Sequence, residues 1–467
     1  MRTARLPHRK QTVIGLIAAC VALAMLDKGS PSTEDYAAAL AIIGVAFLPT
    51  FIWLGNPLRY GIPVWPAFAA MHAITFGAPL LSDHLGIVPY GIDDRMRLAF
   101  FVVLFIGVVT VVWHRMAQSA RPPRAAERVF DLSRSHVFLV VIALGLIYEV
   151  LYFGGYLWGL GSALSIVRAI ASSTFILGVF ALSYLLGRSA LTRAMKLFFV
   201  AVVIGHMTVQ ATSLLLINSA MTATAAFAGY YIATLRIPWK TLMTLALVLS
   251  FLHIGKERTR SEVWGGAQQA SISVFGRWAE NSVDRLAGED ESSSVSTVTD
   301  RVTLAHLFLL ADRLAPEVVP YLNGETYAII PVVLVPSFLW PNRPTTLDGT
   351  RKLNVHFGLQ STEGSQHTTI GWGLVNELFA NFGPLGILFG GIVFGFMMGG
   401  IAILSAYREV FSVRSMWCAL AMYFLLQTEA TAAQTVAALF QATVGLFVLA
   451  GILSRKAPVS PPLSYPR

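Results

Sequence analysis

Four groups of residues in this chain have the types and spacing to do chemistry. In Pro336-Ser337-Phe338-Leu339-Trp340-Pro341-Asn342-Arg343-Pro344 the prolines fix an extended path, and Arg343 stands between Asn342 and Pro344 with little backbone freedom. A guanidinium pairs bidentately with phosphate oxygens, so a preorganised arginine is a candidate anion holder, and Trp340 suits a membrane interface. Arg258 and Arg260, beside Lys256, Glu257 and Glu262, form a second cationic group. Headgroup anchoring by snorkelling cations accounts for it equally well. Arg313 follows Asp312 and precedes Glu317 and Gly324; this is either a solvated helix face or a cation held at the membrane for a lipid pyrophosphate. Finally, His367 is followed by Asn376-Glu377-Leu378-Phe379-Ala380-Asn381-Phe382-Gly383. Glu377 and Asn381 are four apart, so a helix places both on one face. Glu377 or His367 could accept a proton, although a satisfied structural carboxylate or histidine fits the same residues.

Several absences narrow the chemistry. The chain has no GxxxxGK[ST] loop and no HExxH, CxxC or EF-hand pattern, and its outer segment has no Asp-x-Asp pair. The expected chemistry uses no nucleotide, no metal and no cofactor.

The elements that must position these residues follow from composition. Of 467 residues 55% are hydrophobic and 13% charged, where a soluble domain carries about 25% charged residues. The apolar residues come in blocks, as in a multi-span membrane protein. The two cysteines, Cys20 and Cys418, each lie inside such a block, which excludes a disulfide framework. The net charge of +9 sits mainly in short loops, so topology rather than nucleic acid explains it. Glu149 and His206 fall inside apolar blocks, and ionisable residues there are costly and so are functional candidates.

The predicted fold class is all-α, a polytopic membrane helix bundle of about twelve transmembrane helices. The spans are read as 12–27, 36–55, 61–82, 97–116, 135–157, 167–187, 197–217, 219–235, 241–255, 384–406, 414–428 and 431–453. Arg59, Arg115 to Arg134, Arg188 to Lys196, Arg236 with Lys240, Arg408 with Arg414, and Arg455 with Lys456 all follow even-numbered spans. The positive-inside rule then places both termini of this expected inner-membrane protein in the cytoplasm. The chain divides into an N-terminal bundle (1–255), an extracytoplasmic segment (256–383), C-terminal membrane helices (384–453) and a cytoplasmic tail (454–467). The outer segment carries ten Lys and Arg against fourteen Asp and Glu, a net of −4, so its arginines stand in an acidic background. Val302–Leu314 has the period of an amphipathic helix near the membrane, and 327–340 reads as a re-entrant or interfacial stretch. Residues 256–325 read as cover, with the motifs in 335–386.

Two of these stretches together resemble the bacterial oligosaccharide repeat-unit polymerases, the O-antigen (Wzy-type) polymerase family. Val335–Pro344 resembles its Pro-rich IPR-x-x-WP-x-KP element, with Arg343 where lysine is common. Asn376–Gly386 resembles its E-x-Y-x-NFG-x-x-G element, with Phe379 where tyrosine is frequent, and Arg313 with Gly324 fits an R-x10-G spacing. The resemblance covers about 256–406. It implies joining of polyprenyl-pyrophosphate-linked oligosaccharides on the outer face of the membrane, among membrane lipid, with a flippase and a chain-length regulator as partners and no nucleic acid. Arg258, Arg260, Arg313 and Arg343 would bind pyrophosphate. Glu377 or His367 would take the proton, and Asn381, Gly383 and Trp340 would position substrate. A lipid-linked glycan ligase or a non-enzymatic transporter are the other readings.

Overall fold

Inside a hydrocarbon layer each backbone N–H and C=O needs an internal partner, which helices supply. The computed structural model is mostly helical, at 74%, and describes residues 31–457 apart from 83, 85, 215, 235, 265–273, 287–302 and 338. In chain order the main elements are α1 (Thr33–Gly55), α2 (Val64–His72, continued by π and 3-10 turns to Leu81), α3 (Ile92–Ala117), β1 (Glu127–Phe130), α4 (Ser135–Phe153), α5 (Leu164–Gly187), α6 (Arg193–Ala211), α7 (Leu216–Thr234), α8 (Trp239–Trp264), α9 (Val274–Leu286), α10 (Ala305–Leu314), α11 (Asp348–His356), α12 (Gly373–Ser405), α13 (Val413–Leu425), α14 (Ala432–Leu453) and β2 (Ser454–Ala457).

Among the described residues eight helical stretches are long and apolar enough to cross a membrane: α1, 64–81, α3, 132–153, 166–187, α6, α12 and α14. The chain is a multi-pass membrane protein. The expected first span, 12–27, lies outside the described residues. The expected spans 219–235, 241–255 and 414–428 are helical as α7, α8 and α13, yet none is among the eight. Asn218 and several threonines dilute α7, α8 runs on into Lys256-Glu257-Arg258, and α13 has only 13 residues.

The chain forms two compact units, one of residues 1–130, 299–440 and 454–467, the other of 131–298 and 441–453. In the first, α1 opens on a capping box in which Ser32 Oγ accepts from Asp35 N at 3.1 Å and Asp35 Oδ2 from Ser32 N at 3.2 Å. Ala39, Ile42 and Ala46 of α1 and Val102, Phe105, Ile106 and Val109 of α3 are fully buried. α12 lies along α3 because Gly391, Gly395 and Gly399 recur every fourth residue. A Cβ at Gly395 would stand 2.7 Å from Val112 Cβ, and one at Gly399 2.6 Å from Met116 Cβ.

α12 itself is broken. Gly383 has φ +62° and ψ −149°, a conformation open to glycine, and Pro384 follows as the first residue of the span proper. Residues 373–382 therefore fold back, and Leu378 packs against both Gly386 and Gly390. In an unbroken helix Leu378 and Gly390 would be about 18 Å apart.

α10 is packed inside the protein. Its Ala305, Leu307, Phe308, Leu309 and Ala311 are at most 1% exposed, and Phe308 packs on Phe379 and Phe101 at ring centroids of 4.5 and 6.0 Å. The run Leu307–Ala311 puts apolar groups around more than one face, so protein covers it rather than lipid alone. Within the 327–340 stretch the prolines limit the helix to Ile329–Val333, followed by turns. The all-helical expectation is interrupted by an antiparallel ribbon of β1 and β2.

This unit has two distinct ends. At one, Tyr407 N donates to Leu58 O, Tyr60 Oη meets His114 Nδ1 at 2.7 Å, and Phe130 N donates to Phe411 O. Arg408 pairs there with Glu127. The segments following the expected second, fourth, tenth and last spans thus meet together. At the other end of α3, Arg95 pairs with Asp35 at 2.9 Å and Arg97 with Asp312 at 3.1 Å.

The second unit buries an ionisable couple. Glu149 of α4 and His206 of α6 are 5% and 4% exposed, with Glu149 Oε1 3.8 Å from His206 Nε2. Phe175 of α5 stacks on the imidazole, and Thr222 Oγ1 of α7 lies 3.3 Å from His206 Nδ1. α8 continues beyond the expected boundary at 255, and α9 packs back on it through Trp278 Nε1 to Leu252 O and Asn281 Nδ2 to Thr259 Oγ1. Truncating one member of a buried pair strands the other. Glu149→Ala or His206→Ala leaves a buried polar group without its neighbour and should cost about 1–3 kcal/mol in denaturant unfolding of the solubilised protein. The double variant should lose less than the sum; strictly additive losses would show that the two side chains do not interact.

Candidate functional site

The fold-back at Gly383 creates a helix end whose carbonyls have no next turn to bond. Residues 322–326 fill that need. Leu322 N donates to Ala380 O at 3.1 Å and Asn323 N to Asn381 O at 2.9 Å. The Asn381 side chain continues the seam. Its Oδ1 accepts from Gly324 N at 3.1 Å, and its Nδ2 donates to Thr326 Oγ1 at 2.9 Å and to Glu377 O at 2.8 Å. Gly324 has φ +91°, which an L side chain rarely adopts.

Thr326 then orients Glu377. Having accepted from Asn381, its hydroxyl donates to Glu377 Oε1 at 2.8 Å, while Glu377 Oε2 accepts from Ala432 N at 2.7 Å. Ala432 is the first residue of α14, so the carboxylate sits at a helix N-terminus, where the dipole favours negative charge. Glu377, Asn381 and Thr326 are all 0% exposed. Tyr327 stacks on Phe382 at 5.7 Å, and its burial, with the Glu377 carboxylate near by, pushes the phenol well above its ordinary range. Gly373, at φ +73°, donates its N–H to Glu429 O at 3.0 Å and completes the contact with the loop before α14.

A second buried polar layer lies beneath. Asn376 Nδ2 donates to Leu304 O and Trp372 O, both at 2.9 Å, while its Oδ1 is buried without a partner. Trp372 Nε1 donates to Asn354 Oδ1 at 2.7 Å, and Gly349, one residue into α11, packs against Thr326.

Of the expected site residues, Glu377, Asn381 and Gly383 come together. Gly383 packs on the Tyr321 ring. Glu377, read either as a proton acceptor or as a satisfied structural carboxylate, is closed, with both oxygens occupied by neighbouring donors. His367 is exposed at the end of the short helix Gly364–His367 and makes no hydrogen bond to Glu377. Trp340 is 47% exposed, in the turn that Arg343 N closes on Trp340 O at 3.2 Å. Arg343 Nη1 donates to Pro344 O, its Nε is buried with no acceptor, and no described carboxylate pairs with it. Arg313 is exposed, with its guanidinium 5.7 Å from the Tyr90 ring centroid. Arg258 belongs to the second unit and lies 3.9 Å from Asp284. The Arg260 side chain lies outside the described residues. No group of three metal-ligating side chains occurs among the described residues.

Residues 303–326 are therefore part of the site rather than its cover. Sequence reading singled out Gly324 but missed Thr326 and the Ala432 N–H. A lone threonine and a backbone amide carry no sequence signal; their roles arise from the fold-back. Together, fold and site define a multi-pass helical membrane protein with a hydrogen-bonded polar seam at one end of a bundle. No family model, curated protein or solved structure matches the chain.

Glu377→Gln turns one acceptor into a donor facing a donor, and is expected to cost about 1–3 kcal/mol. Thr326→Val should cost a similar amount, and the pair should be non-additive. Thermal unfolding of the four proteins checks this, and limited proteolysis within 303–372 should quicken in each variant.

Proposed function

We propose that this chain is a membrane glycosyltransferase that polymerises polyprenyl-pyrophosphate-linked oligosaccharide repeat units into an exopolysaccharide or O-antigen chain on the outer face of the bacterial inner membrane. In this reading the N-terminal apolar run and the three weaker helices complete twelve spans, with both termini cytoplasmic. The observation that carries the proposal is the buried Nε of Arg343, which has no acceptor and no carboxylate partner among the described residues. A buried guanidinium N–H left without an acceptor is costly, and a phosphate oxygen would satisfy it. Support also comes from the resemblance of 335–344 and 376–386 to the polymerase elements, and from the second element's use in locking 322–326 to a membrane-spanning helix.

The reaction needs little beyond placement. The non-reducing-end hydroxyl of one lipid-linked repeat attacks the anomeric carbon of the growing chain. The new C–O bond forms as the bond to pyrophosphate breaks, the hydroxyl proton passes to an acceptor, and lipid pyrophosphate leaves. Arg343, with Arg313, stabilises the departing charge. Glu377, closed in its seam, positions the segment, and the exposed His367 is the acceptor that reaches a substrate hydroxyl. Two amphiphiles held in line at the membrane surface require no nucleotide.

Purified protein incubated with a synthetic polyprenyl-pyrophosphate oligosaccharide and no nucleotide should produce a ladder of products. Single transfer to a different acceptor would indicate a ligase instead, and absence of turnover would remove the enzymatic reading. Arg343→Ala should lower the rate about 100- to 1,000-fold with an unchanged melting temperature. Wild-type rates in that variant would take Arg343 out of the site.

A further inference from the structure

At the end of the first unit away from Glu377, the segment after α3 pairs with the residues after α14. The register sets Glu127 opposite Ala457, Arg128 opposite Lys456, Val129 opposite Arg455 and Phe130 opposite Ser454. Arg128 and Lys456 are both exposed. Directly opposed residues share a face, so two cations stand side by side, an arrangement that weakens a ribbon. The one carboxylate in either strand, Glu127, projects from the other face and is taken up by Arg408, with Arg414 at 4.0 Å. Arg121 and Arg124, both exposed, add charge just upstream, and 118–130 contains no other acid. Among the described residues no carboxylate pairs with Arg128 or Lys456.

The ribbon's depth supplies the missing partner. β2 starts at Ser454, the residue after α14 ends at Leu453, and α14 is one of the helices able to cross a membrane. At about 3.3 Å per residue, Lys456 is at most roughly 10 Å of chain from the end of that helix, within reach of the polar headgroup layer. The ribbon is also anchored independently of its cations, because Phe130 is 3% exposed and its N–H donates to Phe411 O at 2.9 Å.

We propose that this ribbon is a binding site for anionic phospholipid headgroups, with a lipid phosphate bridging Arg128 and Lys456. The phosphate removes the cross-strand repulsion and ties the segment after α3 to the chain's last strand. The site is separate from the Glu377 seam and does not depend on the transferase reading.

Native mass spectrometry of protein from mixed phosphatidylglycerol and phosphatidylcholine nanodiscs measures the lipids retained, and melting in each lipid alone reports stability. The wild type should retain phosphatidylglycerol preferentially and melt higher in it. The Arg128→Gln/Lys456→Gln protein should lose about fivefold in preference per cation removed, with a melting temperature in phosphatidylcholine no lower than the wild type's, because the cross-strand repulsion is gone. Lys456→Glu places an acid across from Arg128. It should raise the melting temperature in phosphatidylcholine while abolishing the preference, which keeps the test decisive should the double variant fold poorly. Lys352→Gln, at the opposite end, should behave as wild type. An unchanged preference in Lys456→Glu would overturn the proposal. So would equal stabilisation by inorganic phosphate alone, which would assign the face to a soluble anion.

Discussion

The carbonyls that end residues 373–382 have no further turn to bond, because the chain reverses at Gly383. Much of the first unit is arranged around supplying their partners. Leu322 and Asn323 provide the backbone donors, and Asn381 extends the seam to Gly324 and Thr326. Thr326 passes the connection to Glu377, which reaches the first N–H of α14. One backbone reversal thereby joins residues 322–326, α12 and the start of α14. Glu377, Asn381 and Thr326 are shut away from water, so each of their bonds matters more than an exposed equivalent, and leaving one unmade carries the full desolvation cost.

That closure separates two kinds of polar residue. Glu377, Asn381 and Thr326 have their bonding capacity used within the protein, which is what a positioning network requires. Arg343 has a buried nitrogen with none of its capacity used, which is what a ligand site requires. The same distinction holds at the far end of the unit, where Glu127 is consumed by Arg408 while Arg128 and Lys456 face each other. Charges that the fold satisfies build structure, and charges that it leaves over are the ones that meet something else.

Much of the helical frame was legible beforehand. The span expected at 384–406 begins where the reversal puts it, because Gly383-Pro384 is a local signal for a break followed by a helix start. The recurrence of Gly391, Gly395 and Gly399 at every fourth residue is likewise visible in the sequence, and they are where α3 approaches. Glu377 and Asn381 were read as sharing a helical face, and Asn381 does bond the Glu377 carbonyl. The role of Glu377 was not legible. A carboxylate near a membrane reads as a proton acceptor until the donors on both its oxygens are seen, and those come from residues 51 and 55 positions away. The neighbours of α10 are hidden from the sequence for a related reason. Its periodicity showed an apolar face but could not say whether lipid or Phe379 would cover it.

By itself the sequence determined that the chain spans a membrane many times, where most of the spans fall, and that loops following even-numbered spans carry the positive charge. These are properties of composition and period, each set within about twenty residues. Only the tertiary structure decided which polar groups are satisfied. Satisfaction is a relation between distant residues, and a hydrogen bond closes only when folding brings donor and acceptor within about 3 Å.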